Sequence, residues 1–342
     1  MTDAPTSPRI LFAPAPVAAG GGHLMRCLSL AGALAARGAA VVFAVTPADA
    51  HLIERFAPGL TPRLIRPVEI GQTVRQGACD AVVVDDYGLI DADERTLRRY
   101  GCRVLMVIDD LADRPHLADL LLDPGHGRSA QDYAALLPPG AERLVGPAYA
   151  LLRPEFPRLR DEARPTRIQP ERVFVSFGLS DVASVTIRAM DIIRPLAPQA
   201  RFDVAVGADA PSLEALQAMA AGDPGVIVHV ETADAAALMA QADLAVGAGG
   251  GSAWERCCLG LPSLAVIVAD NQRPSIEALS ADGVLIAVDF ADRRWEHALS
   301  EGFTALLAPE RRRALSAASR ALCDGRGAER AADALLARIR GS

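Results

Sequence analysis

From end to end the chain alternates short apolar runs rich in β-branched residues with alanine- and leucine-rich helical patterns, and this alternation constrains the fold more than any other feature. It implies parallel sheets covered by helices on both faces. In the first half, strands are expected at 9–13, 39–45, 81–85, 103–108 and 119–122, with helices at 23–37, 48–56 and 91–100 between them. The alternation breaks at 154–172, where Pro154, Pro157, Pro165 and Pro170 stand among arginines with no apolar periodicity. A second set of strands is expected at 173–177, 202–206, 226–230, 244–246, 263–268 and 284–288, with helices that include 212–221 and 235–241. At 342 residues the chain exceeds the roughly 100–200 of one domain. The expectation is therefore α/β: two doubly wound parallel-sheet domains facing a central cleft. The boundaries are 1–155, a linker at 156–171, 172–325, and a C-terminal helix at 326–342 that packs back on the first domain.

Half of the residues are hydrophobic (51%) and 23% are charged, so a large core can form. A net charge of −7 argues against a nucleic-acid partner, which calls for a concentrated basic face. The apolar runs fall well short of the roughly 20 residues that span a bilayer, and the N-terminus lacks a basic-then-apolar signal, so a cytoplasmic protein with no membrane partner is expected. Six cysteines without a C-x-x-C pair read as buried thiols, and no zinc site is indicated. A monomer or weak homo-oligomer is expected.

Ligands of parallel sheets sit beyond the carboxyl ends of the strands, so the strand-to-helix loops carry the functional expectations. After the first strand, Gly20, Gly21 and Gly22 precede His23 and Arg26. The glycines let the backbone approach a ligand near the positive end of a helix, where a neutral imidazole is favoured over a cationic one, as a general base requires. Simple helix capping is the alternative for His23. After the third strand, Asp85 and Tyr87 share one face of extended chain. Asp109 and Asp110 repeat the theme, with Asp113, Arg114 and His116 behind them, in spacings that match no magnesium or zinc loop. In the second half, Gly178 and Ser180 suit a loop facing a phosphate or sugar, with Asp181 as a helix N-cap the rival reading. The most informative loop follows residue 246, with Gly247, Gly249, Gly250 and Gly251 ahead of Ser252 and Glu255. Such a run forms a backbone N–H cradle suited to a diphosphate without metal, and Glu255 one turn later suits the two hydroxyls of a ribose. Asn271 and Gln272, in a polar turn after the next strand, offer amides to the same ligand.

Together these segments (20–26, Asp85-x-Tyr87, 108–114 with His116, 121–123, 146–156, and 247–260 with Asn271 and Gln272) resemble the UDP-2,4-diacetamido-2,4,6-trideoxy-β-L-altropyranose hydrolases of pseudaminic acid biosynthesis, relatives of the GT-B glycosyltransferases. The resemblance spans nearly the whole chain, and the 149–156 and 254–258 runs are its most specific parts. It implies a GT-B-like pair of Rossmann-like domains and a UDP-sugar as the small-molecule partner, with no cofactor and no metal. It also implies His23 as the base that deprotonates water for inverting attack at the anomeric carbon, with Tyr87 and Asn271 orienting water or sugar. Gly21, Gly22, Arg26, Asp85, Asp109, Gly178, Ser180, Gly249, Gly250, Gly251, Ser252, Glu255 and Gln272 would hold the substrate. The family usually carries a glycine where this chain has Leu179. The alternatives are a UDP-sugar glycosyltransferase, a UDP-sugar 2-epimerase and a nucleotide-sugar-binding protein without turnover. The product would serve flagellin glycosylation or a surface polysaccharide.

Overall fold

The structure, a computed structural model, describes residues 7–17, 21–163 and 167–342. Ala19, Gly20 and Pro165 lie outside the described residues. The chain divides into two compact units, one of residues 1–153 with 326–342 and the other of 154–325.

In the first unit the chain runs β1 (Arg9–Pro14), α1 (Gly22–Ala35), β2 (Ala40–Ala44), α2 (Pro47–Phe56), β3 (Arg63–Ile65), α3 (Ile70–Arg75), β4 (Ala81–Asp85), α4 (Asp91–Arg99), β5 (Val104–Ile108), β6 (Leu120–Asp123) and β7 (Glu142–Val145). Its strands form one parallel sheet in the order β3-β2-β1-β4-β5-β6-β7. The central strands β4, β5 and β6 read AVVVD, VLMVI and LLLD and are buried along their whole length, as a sheet covered on both faces demands. Full burial of each such aliphatic side chain stabilises the fold by about 1.5–3 kcal/mol. Phe12 and Phe43 stack across β1 and β2 with ring centroids 4.9 Å apart.

The second unit runs α5 (Glu155–Leu159), β8 (Arg172–Ser176), α6 (Val185–Ile193), β9 (Arg201–Val206), α7 (Leu213–Gly222), β10 (Val226–Val230), α8 (Ala235–Ala240), β11 (Leu244–Ala248), α9 (Ser252–Leu259), β12 (Ser263–Ile267), α10 (Arg273–Ala281), β13 (Ile286–Asp289), α11 (Trp295–Leu307) and α12 (Pro309–Leu322). Its sheet is also parallel, in the order β10-β9-β8-β11-β12-β13. The last helix, α13 (Gly327–Gly341), belongs to the first unit, where it packs on α1 and Asp333 receives a two-pronged contact from Arg37 at 2.6 and 3.1 Å. The segment expected as linker at 156–171 differs: α5 occupies its start, and Arg160 hydrogen-bonds the carbonyls of Cys258 and Cys323, both at 2.6 Å, within the second unit.

Each sheet reverses its strand order once, between β1 and β4 in the first unit and between β8 and β11 in the second. The carboxyl ends of strands at such a reversal leave a crevice between helices that depart to opposite faces. All four segments that leave these strand ends carry the polar residues singled out in the sequence.

Candidate functional site

In the first unit, His23 stands in the first turn of α1, directly beyond β1, and Asp85 ends the neighbouring β4. His23 Nδ1 lies 2.6 Å from Asp85 Oδ1, and the His23 side chain is 11% exposed while Asp85 is fully buried. Asp85 also accepts from Arg26 Nε and from a terminal Arg26 nitrogen, both at 2.6 Å. Arg26 sits one turn after His23 on α1, which brings both side chains onto Asp85. Its other terminal nitrogen donates to Asp110 Oδ2 at 2.9 Å, and the Tyr87 hydroxyl donates to Asp110 Oδ1. The His23 and Tyr87 rings meet edge to face at 4.8 Å. Burial alone would raise the Asp85 carboxyl, but Arg26 and the hydrogen bond from His23 outweigh it and hold the group below the usual carboxylate range. An ionised carboxylate can only accept, so the proton between His23 and Asp85 belongs to Nδ1, and the neutral imidazole then carries its lone pair on Nε2. The 3.3 Å approach of Arg26 to the same Nδ1 is then a contact and not a second hydrogen bond.

Two expectations change here. Asp85, expected to touch a ligand, is turned wholly inward and organises His23 and Arg26. Asp109 is also buried: its Oδ2 accepts from the backbone N–H of Ala112 at 2.9 Å and from Tyr133 at 3.3 Å, and Arg114 lies 3.3 Å from its Oδ1. Asp109 therefore shapes the turn after β5, with Ala112 in the left-handed region at φ 53°, while its neighbour Asp110 reaches Arg26 and Tyr87. His116 is fixed behind this turn through Nδ1 to Glu94 Oε1 at 2.7 Å. Gly21 and Gly22 form the start of α1, with Gly21 at the N-cap.

In the second unit, the loop Gly249, Gly250, Gly251 joins β11 to α9, whose first residue is Ser252. Close approach explains two of the glycines. A methyl group on Gly247 would lie 2.2 Å from the Ser176 carbonyl oxygen of β8, and one on Gly249 would lie 2.6 Å from Ile276 Cγ1. The cradle is smaller than expected, because the Gly249 N–H is already given to Val266 O at 2.9 Å. Gly250, Gly251 and Ser252 then supply the first-turn N–H groups of α9, which no intrahelical acceptor can reach. Gln272 lies against the loop, its Oε1 accepting from Val268 N at 3.2 Å and its Nε2 3.6 Å from the position of a methyl on Gly250. Asn271 shares the single helical turn Asp270–Gln272, and Glu255 is half-buried on α9.

After β8, Gly178 (φ 93°) and Ser180 are exposed, and the chain enters the left-handed region at Asp181, Ala183 and Ser184. The Asp181 carboxylate is buried and accepts from Thr186 N at 2.9 Å and Thr186 Oγ1 at 2.6 Å, anchoring the first turn of α6. Leu179 needs no left-handed backbone, and its carbonyl packs against Gly207.

Of two further residues at these sites, one shares an undivided role with its neighbour in the sequence and the other has none there. Asp110 was grouped with Asp109, although only one of two adjacent residues can point inward at a strand end. Arg256 is 1% exposed and binds both ends of the 249–251 loop: it donates to Ala248 O at 2.8 Å and to Ser252 Oγ at 3.1 Å. An arginine at 256 between the apolar Ala253-Trp254 and Cys257-Cys258-Leu259 is the available signal.

Among the described residues no group of three His, Cys, Asp or Glu side chains is placed to hold a metal ion, and no helix is long and apolar enough to cross a membrane.

Two parallel Rossmann-like sheets make this an α/β protein of GT-B-like fold, and solved structures bear the same fold. MurG of Acinetobacter baumannii superposes with a TM-score of 0.65 at 16% identity, covering 97% of this chain and 99% of that one. The calicheamicin glycosyltransferase CalG4 gives 0.60 at 17% identity, covering 98% and 99%. No family model matches the chain. In sequence it is similar to the UDP-2,4-diacetamido-2,4,6-trideoxy-β-L-altropyranose hydrolase of Campylobacter jejuni, 24% identical over 266 residues, which are 77% of this chain and 93% of that protein.

Proposed function

We propose that the chain hydrolyses a UDP-linked 2,4-diacetamido-2,4,6-trideoxy hexose to the free sugar and UDP. The observation that carries the reading is the His23–Asp85 pair at 2.6 Å, which leaves Nε2 of a tautomer-fixed imidazole to take a proton. Water attacks the anomeric carbon, His23 Nε2 receives the water proton, and the bond from that carbon to the diphosphate oxygen breaks with inversion. Gly250, Gly251 and Ser252 N–H groups receive the charge that develops on the departing diphosphate. Arg26 and Asp110 hold the surroundings of the base, and the Tyr87 hydroxyl, its proton given to Asp110, keeps lone pairs to orient water. Asn271 and Gln272 would meet the sugar or the phosphates, as would Gly178 and Ser180. The similarity to the Campylobacter enzyme over 93% of its length supports hydrolysis over the other uses of this fold.

The test is release of UDP from that UDP-sugar with no acceptor present and with EDTA in the buffer. UDP and free sugar in equal amounts are the expected products. UDP that appears only when a sugar or lipid acceptor is added would make the protein a glycosyltransferase, and a C2 epimer without UDP an epimerase.

Glu255→Ala addresses the nucleotide half. A carboxylate bound to two ribose hydroxyls contributes about 1.5–3 kcal/mol per hydrogen bond, so affinity for UDP should fall at least about 10-fold by calorimetry. Equal affinities in variant and wild type would remove Glu255 from the ribose.

A further inference from the structure

Arg256 is a cation in a place where cations are costly. It is 1% exposed, and among the described residues no carboxylate comes within ion-pair distance of it. Its Nε has no hydrogen-bond partner. The residues that flank it on α9, Ala253, Trp254, Cys257 and Cys258, are all buried. A buried guanidinium usually faces a carboxylate, because desolvating an unpaired charge is expensive. Here its partners are neutral: the carbonyl of Ala248, which ends β11, and the hydroxyl of Ser252, which opens α9. A methyl on Gly247 would stand 3.0 Å from one of its terminal nitrogens, so the guanidinium lies against the end of β11 from which the loop departs. Burial lowers the group to about 10, which leaves it charged at neutral pH; Glu255 is a nearby charge that favours the cation, while burial pushes the Cys257 thiol up to about 12 and leaves it neutral.

We infer that Arg256 is the positioning residue of the 249–251 loop and that its positive charge, which makes no ion pair among the described residues, is completed by the diphosphate of the bound nucleotide. This rests on the diphosphate reading of that loop. The hydrogen bonds to Ala248 and Ser252 fix the two ends of the loop so that the N–H groups of Gly250, Gly251 and Ser252 converge. The charge, shielded from solvent by α9 and β11, then attracts an anion on the other side of the loop with little screening by salt. The arrangement is unfavourable without ligand and favourable with it, so stability and anion affinity should respond to the same residue in opposite directions.

The experiment measures binding of UDP, uridine and inorganic pyrophosphate to the full chain and to Arg256→Met, Arg256→Gln and Arg256→Lys. In Arg256→Met, UDP and pyrophosphate affinity should fall about 10-fold or more while uridine affinity changes less than about 2-fold, and the loss should persist at high salt. Without ligand this variant should melt no lower than wild type, since an unpaired buried charge has been replaced by an apolar chain. Arg256→Gln, which keeps a hydrogen-bonding group without the charge, should lose UDP affinity as Arg256→Met does. Arg256→Lys carries the decisive readout: relative to wild type it should bind UDP well at pH 6 and progressively worse towards pH 9, because a buried ammonium gives up its proton where a guanidinium does not. A merely structural role would leave that ratio flat with pH, and a flat ratio overturns the inference. So does equal UDP affinity in wild type and Arg256→Met. If Arg256→Met fails to fold, the Gln and Lys variants decide by the same ratios. A wild-type chain that binds neither UDP nor pyrophosphate overturns the diphosphate reading itself, and this inference with it.

Discussion

Replacing His23 by asparagine should lower kcat by about 10²–10⁴, or roughly 3–5 kcal/mol of barrier, while UDP affinity and thermal midpoint stay close to wild type. Asparagine preserves a hydrogen bond to Asp85 through its amide but has no group able to accept a proton from water. The effect should be confined to turnover for two reasons. His23 is at the start of α1, whose core contacts come from the buried Leu24, Cys27 and Leu28, so the substitution keeps those and gives up the ring contact with Tyr87. The residues proposed to bind UDP lie in the other unit. Steady-state kinetics with the UDP-sugar, together with calorimetry on UDP, separate the two. A variant that turns over at the wild-type rate once saturated would make His23 a binding residue, and the search for the base would move to Tyr87 and Asp110.

How far the sequence predicts this arrangement depends on what each residue has to satisfy. Strand β4 stands at the expected bounds, 81–85, because central parallel strands in a covered sheet are continuous apolar runs and such runs are visible without a partner. Strands β3 and β7 were missed, and both are edges of their sheet. Arg63 and Leu64 of β3 are exposed, and β7 begins on an exposed Glu142, so neither carries the run that marks a central strand. The same logic governs the site. Glycine-rich turns, a histidine opening a helix and a serine opening another are local patterns, and they were legible. The pairing of His23 with Asp85 joins residues 62 apart through the adjacency of β1 and β4, which the alternation of elements implies but does not register. The local pattern therefore points Asp85 at a ligand, whereas the structure turns it to His23 and Arg26, and the inward turn of Asp109 is equally invisible locally, since it is set by Tyr133 and the backbone of 111–112.

The role assigned to Asp85 makes a sharper demand than that of His23, because Asp85→Asn should damage both turnover and stability. In the wild type one buried carboxylate accepts from His23 and twice from Arg26, with the Cys27 thiol at 3.6 Å. An amide offers one acceptor oxygen and turns an NH₂ toward groups that are themselves donors. Arg26 would keep only Asp110 as a charge partner. Removing one member of a buried pair costs about 3–5 kcal/mol, which for a chain of this size lowers the midpoint of thermal unfolding by on the order of 10 °C. Without the carboxylate the imidazole no longer has a fixed tautomer, so kcat should fall about 10²-fold or more, while UDP affinity, which we assign to residues of the second unit, should hold. The pH dependence identifies the charge as the cause. Burial would raise this carboxyl, but Arg26 and His23 hold its folded value below the unfolded one. The sign follows from that order. Its stabilisation is fully present above the unfolded value of about 4 and is lost as pH falls through the lower folded value, where the protonated acid resembles the amide. The gap in stability between wild type and Asp85→Asn, measured by denaturant unfolding, should therefore be wide and level from pH 5 to 7 and narrow as the solution is made more acidic than pH 4. A gap of the same width at pH 3 as at pH 7 would mean that packing, and not the ionised carboxylate, is what Asp85 contributes, and the ordering of His23 would need another source.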